Sequence, residues 1–564
     1  LDQSPPSRRR SDVRTGALVA VLPTRDGYVG ISPREEHQWA AWLKVMGDPE
    51  WSGDERFANA RLRQENWLAL EPLLIEWTRR HGKEDIYRKA QDAHVPAFPV
   101  NTAADLFNSR QLGFRGFFRD VEHPIAGTLP YPGFPYALSN AKLELSRAAP
   151  TLGQHDDEVF SSEPRPRGRT RVSGDASLPL AGVRIVDFSW VIAGPTCTRI
   201  LANMGAEVIK IESAKRPDPT RRGGGANFHF LNQSKRALSL NLRTPRGLEL
   251  AKALIAKSDV VIENFATGVF ERLGLGYGSL KTLRPDIILV SSSGLGHTGP
   301  DKDHVAYGTL IQCFTGWSSL TGNPDGRPLP GGVWTDPVTG TLQAFLIASA
   351  LHNRAQTGLG QYVDFAMAEA VCTMLPEALM DFAMNGRIQG PLGNADPMYA
   401  PHGLYPCRGE DRWVAIAVTN DAQWRSLCGA MEREIDDARF ATLDGRRAHA
   451  EALDAVISEW TRPRDVDEIV TRLQAAGVPA GPSMNGVDVY NDPHLEARGF
   501  FATHTSNKGE RLRLPGLPWQ FRPGPSPRVE PAPDLGEHNS AVLGEVLGLS
   551  SEEIQALVDD EVVH

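Results

Sequence analysis

An aspartate at the entrance of a predicted helix can take part in chemistry or can have a purely structural role. Asp336 precedes Pro337, and a T-G-x-x-x-A pattern that predicts a helix follows. Backbone N–H groups at such an entrance can stabilise negative charge that develops near a carboxylate. Aspartate is also a common helix cap, and the local sequence alone favours a structural cap on a helix over Pro337–Leu351.

The sequence lacks the motifs of several common metal-binding and nucleotide-binding sites. The cysteines Cys197, Cys313, Cys372, Cys407 and Cys428 form no C-x-x-C pair, which indicates reduced thiols in a cytoplasmic protein and no metal site. The turn S-W-V-I-A-G-P after the first predicted strand of an α/β region lacks the G-x-G-x-x-G of dinucleotide-binding proteins. Gly223-Gly224-Gly225 is not followed by Gly-Lys-Ser/Thr, so it is not a P-loop.

The elements around Asp336 are predicted to form a doubly wound α/β domain. Apolar runs and turn residues predict strands at Val183–Phe188, Glu207–Glu212, Asp259–Glu263 and Ile287–Ser292, with helices at Pro195–Met204 and Pro245–Lys257. The strand–helix–strand order predicts a parallel, Rossmann-like sheet. A ligand is expected at the carboxyl ends of its strands.

Length and charge limit the remaining classes. The 564 residues exceed what one hydrophobic core usually contains, so we expect more than one domain. A formal net charge of −9 gives no reason to expect a nucleic-acid partner. No apolar run approaches 18 residues, so no membrane segment is expected.

The sequence contains an internal repeat with a constant offset of 440 − 57 = 383 residues. The offset relates Phe57 to Phe440, Trp77 to Trp460, Val95-Pro96-Ala97 to Val478-Pro479-Ala480, and Arg115-Gly116-Phe117-Phe118 to Arg498-Gly499-Phe500-Phe501. It covers roughly residues 15–160 and 398–545. The segment from Leu178 to about Asn394 has no earlier counterpart, which predicts a tandem protein whose first copy lacks its front half.

An ordered series of motifs resembles family III (CaiB/BaiF-type) CoA-transferases. The motifs are Leu180–Asp187, the A-G-P turn, Met204–Lys210, Ser234-Lys235-Arg236, Glu263-Asn264-Phe265, Ser293–Pro300, Thr335–Gly340 and Thr357–Asp364. The resemblance covers Leu178–Leu547, and the N-terminal 160 residues resemble the second half of another copy.

The resemblance implies a large α/β domain, a smaller α+β domain and an interlocked-dimer type of assembly. The expected divisions are 1–160 for the incomplete first copy, 161–177 for a linker, 178–395 for the large CoA-binding domain, 396–500 for the small domain, and 501–564 for a segment that returns to the large domain. We expect a cytoplasmic homodimer or an intrachain pseudo-dimer with one catalytic centre per chain.

The implied activity is transfer of CoA from an acyl-CoA to a carboxylic acid. The resemblance makes Asp336 the nucleophile that forms a mixed anhydride, with backbone amides near Gly294–Gly296 as donors to the thioester oxygen. The CoA thioester is a substrate, and no permanently bound cofactor is expected.

The resemblance also implies a set of CoA-binding residues. They are Val191, Ile192, Ala193, Leu240, Arg243, Asn264, Phe265, Arg272, Ser293, Gly294 and Leu295. Arg243 and Arg272 are expected at phosphates and Phe265 at the adenine. Ser213 stands where many relatives have Arg, with Lys215 and Arg216 as possible substitutes.

Two alternatives remain open at this stage. A racemase on the same fold would need a second acid/base group, but Tyr307 occupies the place of the usual His, and His304 is expected on the surface. Ile192 and Gly296 differ from formyl-transferring members, which favours a larger or more apolar acid. The other alternative is a CoA-binding or oligomer-forming protein without turnover, in which the N-terminal half is a partner surface or a relic.

Overall fold

The computed structural model describes residues 19–163, 177–222, 225–432, 437–505, 509, 511–522 and 524–564. Most of the predicted linker 161–177, and Gly223 and Gly224 of the glycine run, lie outside these residues. The chain forms two compact units. We call Leu320–Arg327 with Gly390–Gly499 the small unit, and the rest of the described chain the large unit.

Strands and helices alternate along most of the chain. The strands are β1 Ala20–Thr24, β2 Gly27–Ile31, β3 Ala97–Pro99, β4 Phe118–His123, β5 Gly127–Pro132, β6 Tyr136–Leu138, β7 Arg184–Asp187, β8 Glu207–Glu212, β9 Arg236–Ser239, β10 Val260–Glu263, β11 Ile288–Ser293, β12 Gln361–Ala366, β13 His402–Pro406, β14 Trp413–Ala417, β15 Ala480–Pro482, β16 Phe501–Thr505 and β17 Arg511–Pro515.

The helices connect and cover these strands. They are α1 Glu36–Val45, α2 Ala60–Glu65, α3 Trp67–Thr78, α4 Lys83–Asp92, α5 Ala103–Phe107, α6 Arg110–Arg115, α7 Asp156–Ser161, α8 Ala193–Asn203, α9 Ala226–Asn232, α10 Pro245–Ala256, α11 Val269–Arg272, α12 Tyr277–Leu283, α13 Gly308–Phe314, α14 Trp317–Leu320, α15 Thr335–Thr357, α16 Met367–Cys372, α17 Pro376–Asn385, α18 Asp421–Met431, α19 Leu443–Ala448, α20 Ala450–Thr461, α21 Val466–Ala475, α22 Gly486–Tyr490, α23 Pro493–Ala497, α24 Asn539–Ala541 and α25 Ser551–Asp559. None of the described helices is both long and apolar enough to cross a bilayer.

A seven-stranded sheet organises the large unit, in the order β6-β12-β11-β10-β7-β8-β9. Strands β7 to β12 are mutually parallel, which confirms the predicted α/β class with a parallel-dominated sheet. The four predicted strands all exist, and their ends lie within one residue of the predicted ends. Most of their central residues are apolar because helices bury both faces of the sheet.

Different parts of the chain cover the two faces of this sheet. One face, with Ile185 and Val290, packs against α8, α13 and α15 and against Phe98 of the N-terminal repeat. The opposite face, with Val186, packs against α10, α12 and the C-terminal residues around Val542. Both repeat-derived and large-domain residues therefore form one core in the large unit.

The N-terminal repeat also joins the sheet edge. Strand β6 pairs antiparallel with β12, with Leu138 opposite Val363. Arg115 at the end of α6 donates to Asp364 Oδ2 at 2.7 Å and to Glu369 Oε1 at 2.5 Å. This segment of the N-terminal repeat thus packs against the edge of the large sheet.

The two repeats have the same internal arrangement. Each contains a three-stranded antiparallel sheet, β1-β2-β3 or β13-β14-β15, with four helices between its second and third strands. In the first repeat Arg63 donates to the carbonyl of Phe57 at 3.1 Å, and in the second Arg446 donates to that of Phe440 at 3.2 Å. Equivalent buried arginines therefore fasten equivalent turns.

Candidate active site

A cavity of about 660 Å³ opens at the carboxyl ends of five parallel strands. Its walls come from the residues that follow or end β7, β8, β9, β10 and β11. This is where the sequence places a ligand, because strand ends and helix starts leave backbone groups and loop side chains free to bind one. The volume is typical of a site for a small organic ligand.

The cavity lies where the order of the strands reverses, between β7 and β10. Asn264 after β10 bridges the gap: its Oδ1 accepts from Trp190 N at 3.0 Å and its Nδ2 donates to Trp190 O at 2.9 Å. The next residue, Val191, has φ +67°, an unusual conformation for a β-branched side chain. The turn that lines the cavity is therefore held in a strained shape by side-chain hydrogen bonds.

Buried charged side chains form hydrogen bonds around this turn. Asp187 at the end of β7 accepts from Lys235 Nζ at 3.0 Å and from Thr198 Oγ1 at 2.6 Å. Lys210 Nζ donates to Ser189 O at 2.8 Å. Burial lowers the pKa of Lys235 to about 8, against the opposing effect of Asp187. The sequence motifs contain these residues, but their supporting role was not predicted.

Six of the predicted CoA-binding residues line the cavity. They are Leu240, Arg243, Asn264, Phe265, Ser293 and Gly294. Lys215, Arg216 and Lys302 also line it, and the Arg216 guanidinium lies 4.5 Å from the Trp190 ring centre. The lining thus combines aromatic surfaces with four cationic side chains, a combination that suits an anionic ligand with a flat ring.

The other five predicted residues lie outside the described lining of this cavity. Ala193 and Leu295 are buried in the core beside the sheet. Val191 donates its N–H to Asp218 Oδ2 at 3.2 Å, and Ile192 precedes α8 as its N-cap. Arg272 is exposed at the end of α11, as an isolated helix-face arginine often is.

Asp336, in the first turn of α15, lies next to the Tyr307–Gly308 segment at the wall of the cavity. The helix begins at Thr335 with Trp334 as N-cap, so Asp336 does not cap a helix that starts at Pro337, which was the structural alternative to its catalytic role. The helix begins two residues before the start that the local sequence indicates, so Asp336 lies within its first turn. Tyr307 lines the cavity, and the adjacent Gly308 touches the Asp336 carboxylate.

The carboxyl of Asp336 is held in an environment that disfavours its charge. Burial raises its pKa to about 6, although the nearby Arg34 guanidinium opposes this rise. Neither Asp336 nor Arg34 has an ion-pair partner within 4.0 Å in the part of the chain that the structure describes. An unpaired carboxylate with a raised pKa is a candidate nucleophile or base.

Glycines permit the close packing around Asp336. A Cβ at Gly308 would overlap Asp336 Oδ2, and a Cβ at Gly340 would overlap the carbonyl oxygen of Ala193. Gly340 lies one turn along α15 from Asp336, so this contact fixes α15 against α8. The position of the carboxylate thus depends on two glycines.

Arg34 and Gln38 belong to the N-terminal repeat and were missed by the sequence analysis. The Arg34 guanidinium lies 4.1 Å from the centre of the Tyr307 ring, and Gln38 Nε2 donates to Tyr307 Oη at 3.2 Å. These contacts join residues about 270 positions apart, so no local pattern could reveal them. The available signal in the sequence was the repeat, which left a partner surface and a relic as alternatives for this segment.

His304 was wrongly expected on the surface. Its side chain is 14% exposed, with Nδ1 2.7 Å from Tyr87 Oη and Nε2 3.8 Å from Asp301 Oδ1. Burial lowers its pKa. Tyr87 belongs to the N-terminal repeat. Its packing against His304 partly buries a loop that the local sequence predicts to be exposed.

No group of three or more His, Cys, Asp or Glu side chains within the described residues is arranged to hold a metal ion.

Known proteins resemble the chain along most of its length. The model of CoA-transferase family III matches residues 2–156 and 180–539. A probable CoA-transferase of Mycobacterium tuberculosis is 30% identical over 561 residues, which cover 96% of this chain and 70% of that protein. A succinate–glutarate CoA-transferase of Agrobacterium fabrum is 34% identical over 384 residues, which cover 65% and 96%. The crystal structure of a CAIB/BAIF family protein from Brucella suis is 35% identical, with a TM-score of 0.61, and covers 66% of this chain and 100% of that one.

Proposed function

The chain belongs to CoA-transferase family III, and we propose that it transfers CoA between carboxylic acids through a mixed anhydride on Asp336. One observation carries the assignment of the nucleophile. Asp336 is an unpaired carboxylate beside a cavity lined by residues that suit CoA, and its environment disfavours the charged form. Such a carboxylate gains stability when an acyl group neutralises it.

The proposed reaction proceeds in four steps, each of which is a nucleophilic substitution at a carbonyl carbon. An Asp336 oxygen attacks the carbonyl carbon of the donor thioester, the C–S bond breaks, and CoA leaves as the thiolate. The thiolate attacks the aspartyl carbonyl, which releases the donor acid and leaves Asp336 as a thioester. The acceptor carboxylate attacks this thioester and expels the thiolate again. The thiolate then takes the acyl group from the new anhydride, which restores the Asp336 carboxylate.

The cavity provides plausible binding groups for the CoA substrate. We propose that Arg243, with Lys215 and Arg216 nearby, binds the phosphates, because guanidinium and ammonium groups suit anionic oxygens. Phe265 offers an aromatic face for the adenine. Backbone amides near Gly294 are proposed as donors to the thioester oxygen.

The names of relatives suggest the acids. Besides the succinate–glutarate enzyme, a succinyl-CoA:mesaconate CoA-transferase of Haloarcula marismortui is 33% identical over 388 residues. We therefore propose succinyl-CoA as a donor for this chain. No resident cofactor is needed for the steps above, and CoA acts only as a substrate.

The assembly is proposed to be an intrachain pseudo-dimer, with a homodimer of chains as the alternative. The support is that the N-terminal repeat packs on the large sheet and brings Arg34 to the site. The five cysteines are all unpaired thiols, which supports the cytoplasm as the compartment.

The pH dependence of transfer tests the proposed function. The ionised form of Asp336 is the nucleophile, and its pKa is about 6, so the transfer rate should rise as the pH increases through about 6 and level off above it. Transfer from succinyl-CoA to a second acid, followed by mass spectrometry between pH 5 and 8, measures this profile. A rate independent of pH, or α-proton exchange in deuterated water without transfer, would contradict the proposal.

Replacing Gly308 by Ala should lower kcat without unfolding the chain. The added Cβ would overlap Asp336 Oδ2 and displace the nucleophile. Misplacing a reacting group by about 1 Å typically costs about 100-fold in rate. Gly278→Ala is the matched control, because a Cβ there meets nothing within 4 Å. Equal kcat values for both variants would show that the carboxylate does not need its observed position.

A further inference from the structure

Next to Tyr307, which lines the cavity, lies the Arg34 guanidinium, whose hydrogen-bonding capacity is largely unused. Arg34 Nε is buried without a hydrogen-bond partner among the described residues, and Nη2 approaches Thr309 Oγ1 only at 3.5 Å. An arginine remains charged in proteins, and burial of a charge without partners is unfavourable. An anionic group of a ligand would relieve this cost.

The surroundings hold Arg34 in place without neutralising it. Gln38 Oε1 accepts from the Arg34 backbone N–H at 2.9 Å, while Gln38 Nε2 donates to Tyr307 Oη at 3.2 Å. The Tyr307 ring covers one face of the guanidinium. The N–H edge that binds carboxylates therefore lacks a protein carboxylate, since no ion pair within 4.0 Å involves Arg34 in the described chain.

Arg34 and Asp336 are close enough to interact electrostatically but are not paired. Tyr307, which contacts Arg34, is followed by Gly308, which contacts the Asp336 carboxylate. An acyl group attached to Asp336 and directed along Tyr307 would approach Arg34. A substrate with a second carboxylate would bring an anion to the unused guanidinium.

We propose that Arg34 binds the terminal carboxylate of a dicarboxylic acyl group while the other end reacts at Asp336. The inference rests on the proposed function, and it names the specificity-determining residue and the substrate class of that site. The planar fork of arginine suits bidentate binding of a carboxylate. The N-terminal repeat would thus select the acid, while the large domain binds CoA.

The second repeat lacks this group. The turn that matches it in hydrogen bonding has Thr419, at an offset of 419 − 34 = 385 residues, which is two more than the offset of the later parts of the repeat. The Thr419 backbone N–H donates to Gln423 Oε1 at 2.8 Å, as that of Arg34 does to Gln38 Oε1. The two repeats therefore share the turn but differ in the side chain that it presents. Of these two matching positions, the one in the first repeat carries an arginine and the one in the second carries a threonine.

Succinyl-CoA and butyryl-CoA provide a matched pair of probes, because their acyl chains have equal length and differ in the terminal carboxylate. Equilibrium binding of both thioesters is measured at pH 8 on an Asp336→Ala background, which prevents the reaction. Arg34→Gln, Arg34→Lys and the exposed Arg79→Gln are compared on this background, and thermal unfolding checks that each variant is folded. Transfer by the wild-type chain is measured separately.

Arg34→Gln should weaken succinyl-CoA binding by roughly 10- to 150-fold and leave butyryl-CoA binding unchanged, since a hydrogen bond to a charged group is lost. Arg34→Lys should recover part of the affinity, and Arg79→Gln should have no effect. Equal losses for both thioesters, or no loss for either, would overturn the proposal. If the wild-type chain binds selectively but transfers nothing, the proposed function fails while the role of Arg34 stands.

Discussion

Replacement of Asp336 by Asn should abolish CoA transfer and leave a folded chain. The amide cannot form the anhydride, and loss of a covalent nucleophile typically lowers kcat by about 10⁴-fold or more. Steady-state transfer from succinyl-CoA measures this loss. Asp85→Asn, at an exposed helical ion pair, is a matched control that should keep full activity.

The same variant should be more stable than the wild type at pH 8. Burial raises the pKa of Asp336 to about 6, above its value in the unfolded chain. A carboxyl with a raised pKa in the folded state disfavours folding once it is ionised, so its replacement should stabilise by about 1–3 kcal/mol at pH 8 and not at pH 4. Wild-type turnover in Asp336→Asn would contradict the role of Asp336 as nucleophile. A loss of stability at pH 8 would contradict the environment described for its carboxyl group.

Replacement of Arg115 by Met should destabilise the large unit by about 3–5 kcal/mol, because it leaves buried carboxylates without their partner. Arg115 is 4% exposed and contacts both Asp364 and Glu369, which are equally buried. The contact joins the N-terminal repeat to β12 and α16. Chemical denaturation at pH 8 measures the change in the free energy of unfolding.

Two further variants make this result specific. Arg80→Met removes an exposed ion pair with Glu76 and should change stability by less than about 1 kcal/mol. Glu369→Gln combined with Arg115→Met should recover part of the lost stability, because it removes one uncompensated charge. If Arg115→Met unfolds at the wild-type denaturant concentration, the N-terminal repeat does not depend on this contact.

The parallel sheet was predictable because its strands contain short apolar runs that alternate with helical segments along the chain. The predicted strand Glu207–Glu212 has the observed bounds, and the helix from Pro245 ends one residue before its predicted end. The turn chemistry was local as well: Thr244 caps that helix by accepting from Gly247 N–H at 3.1 Å. Strand β6 was not predicted, because it is only three residues long and its pairing with β12 is distant in sequence.

The candidate site was predictable where its residues lie on the sheet and its loops. Asp336 and six cavity residues came from motifs of the large domain. Arg34 and the environment of His304 were not predictable, because both depend on how the N-terminal repeat packs against residues more than two hundred positions away. The first repeat, interpreted as a partner surface or a relic, thus contributes the side chain for which we propose substrate selection.

The covalent intermediate tests the central proposal most directly. The chain is incubated with succinyl-CoA and hydroxylamine at pH 8, where Asp336 is ionised, and the peptide that contains Asp336 is examined by mass spectrometry. We predict a hydroxamate on Asp336, at most one per chain, that is absent without succinyl-CoA and absent in Asp336→Asn. An active chain without modification at Asp336, or with a hydroxamate on another carboxyl, would contradict the assignment of Asp336 as the nucleophile.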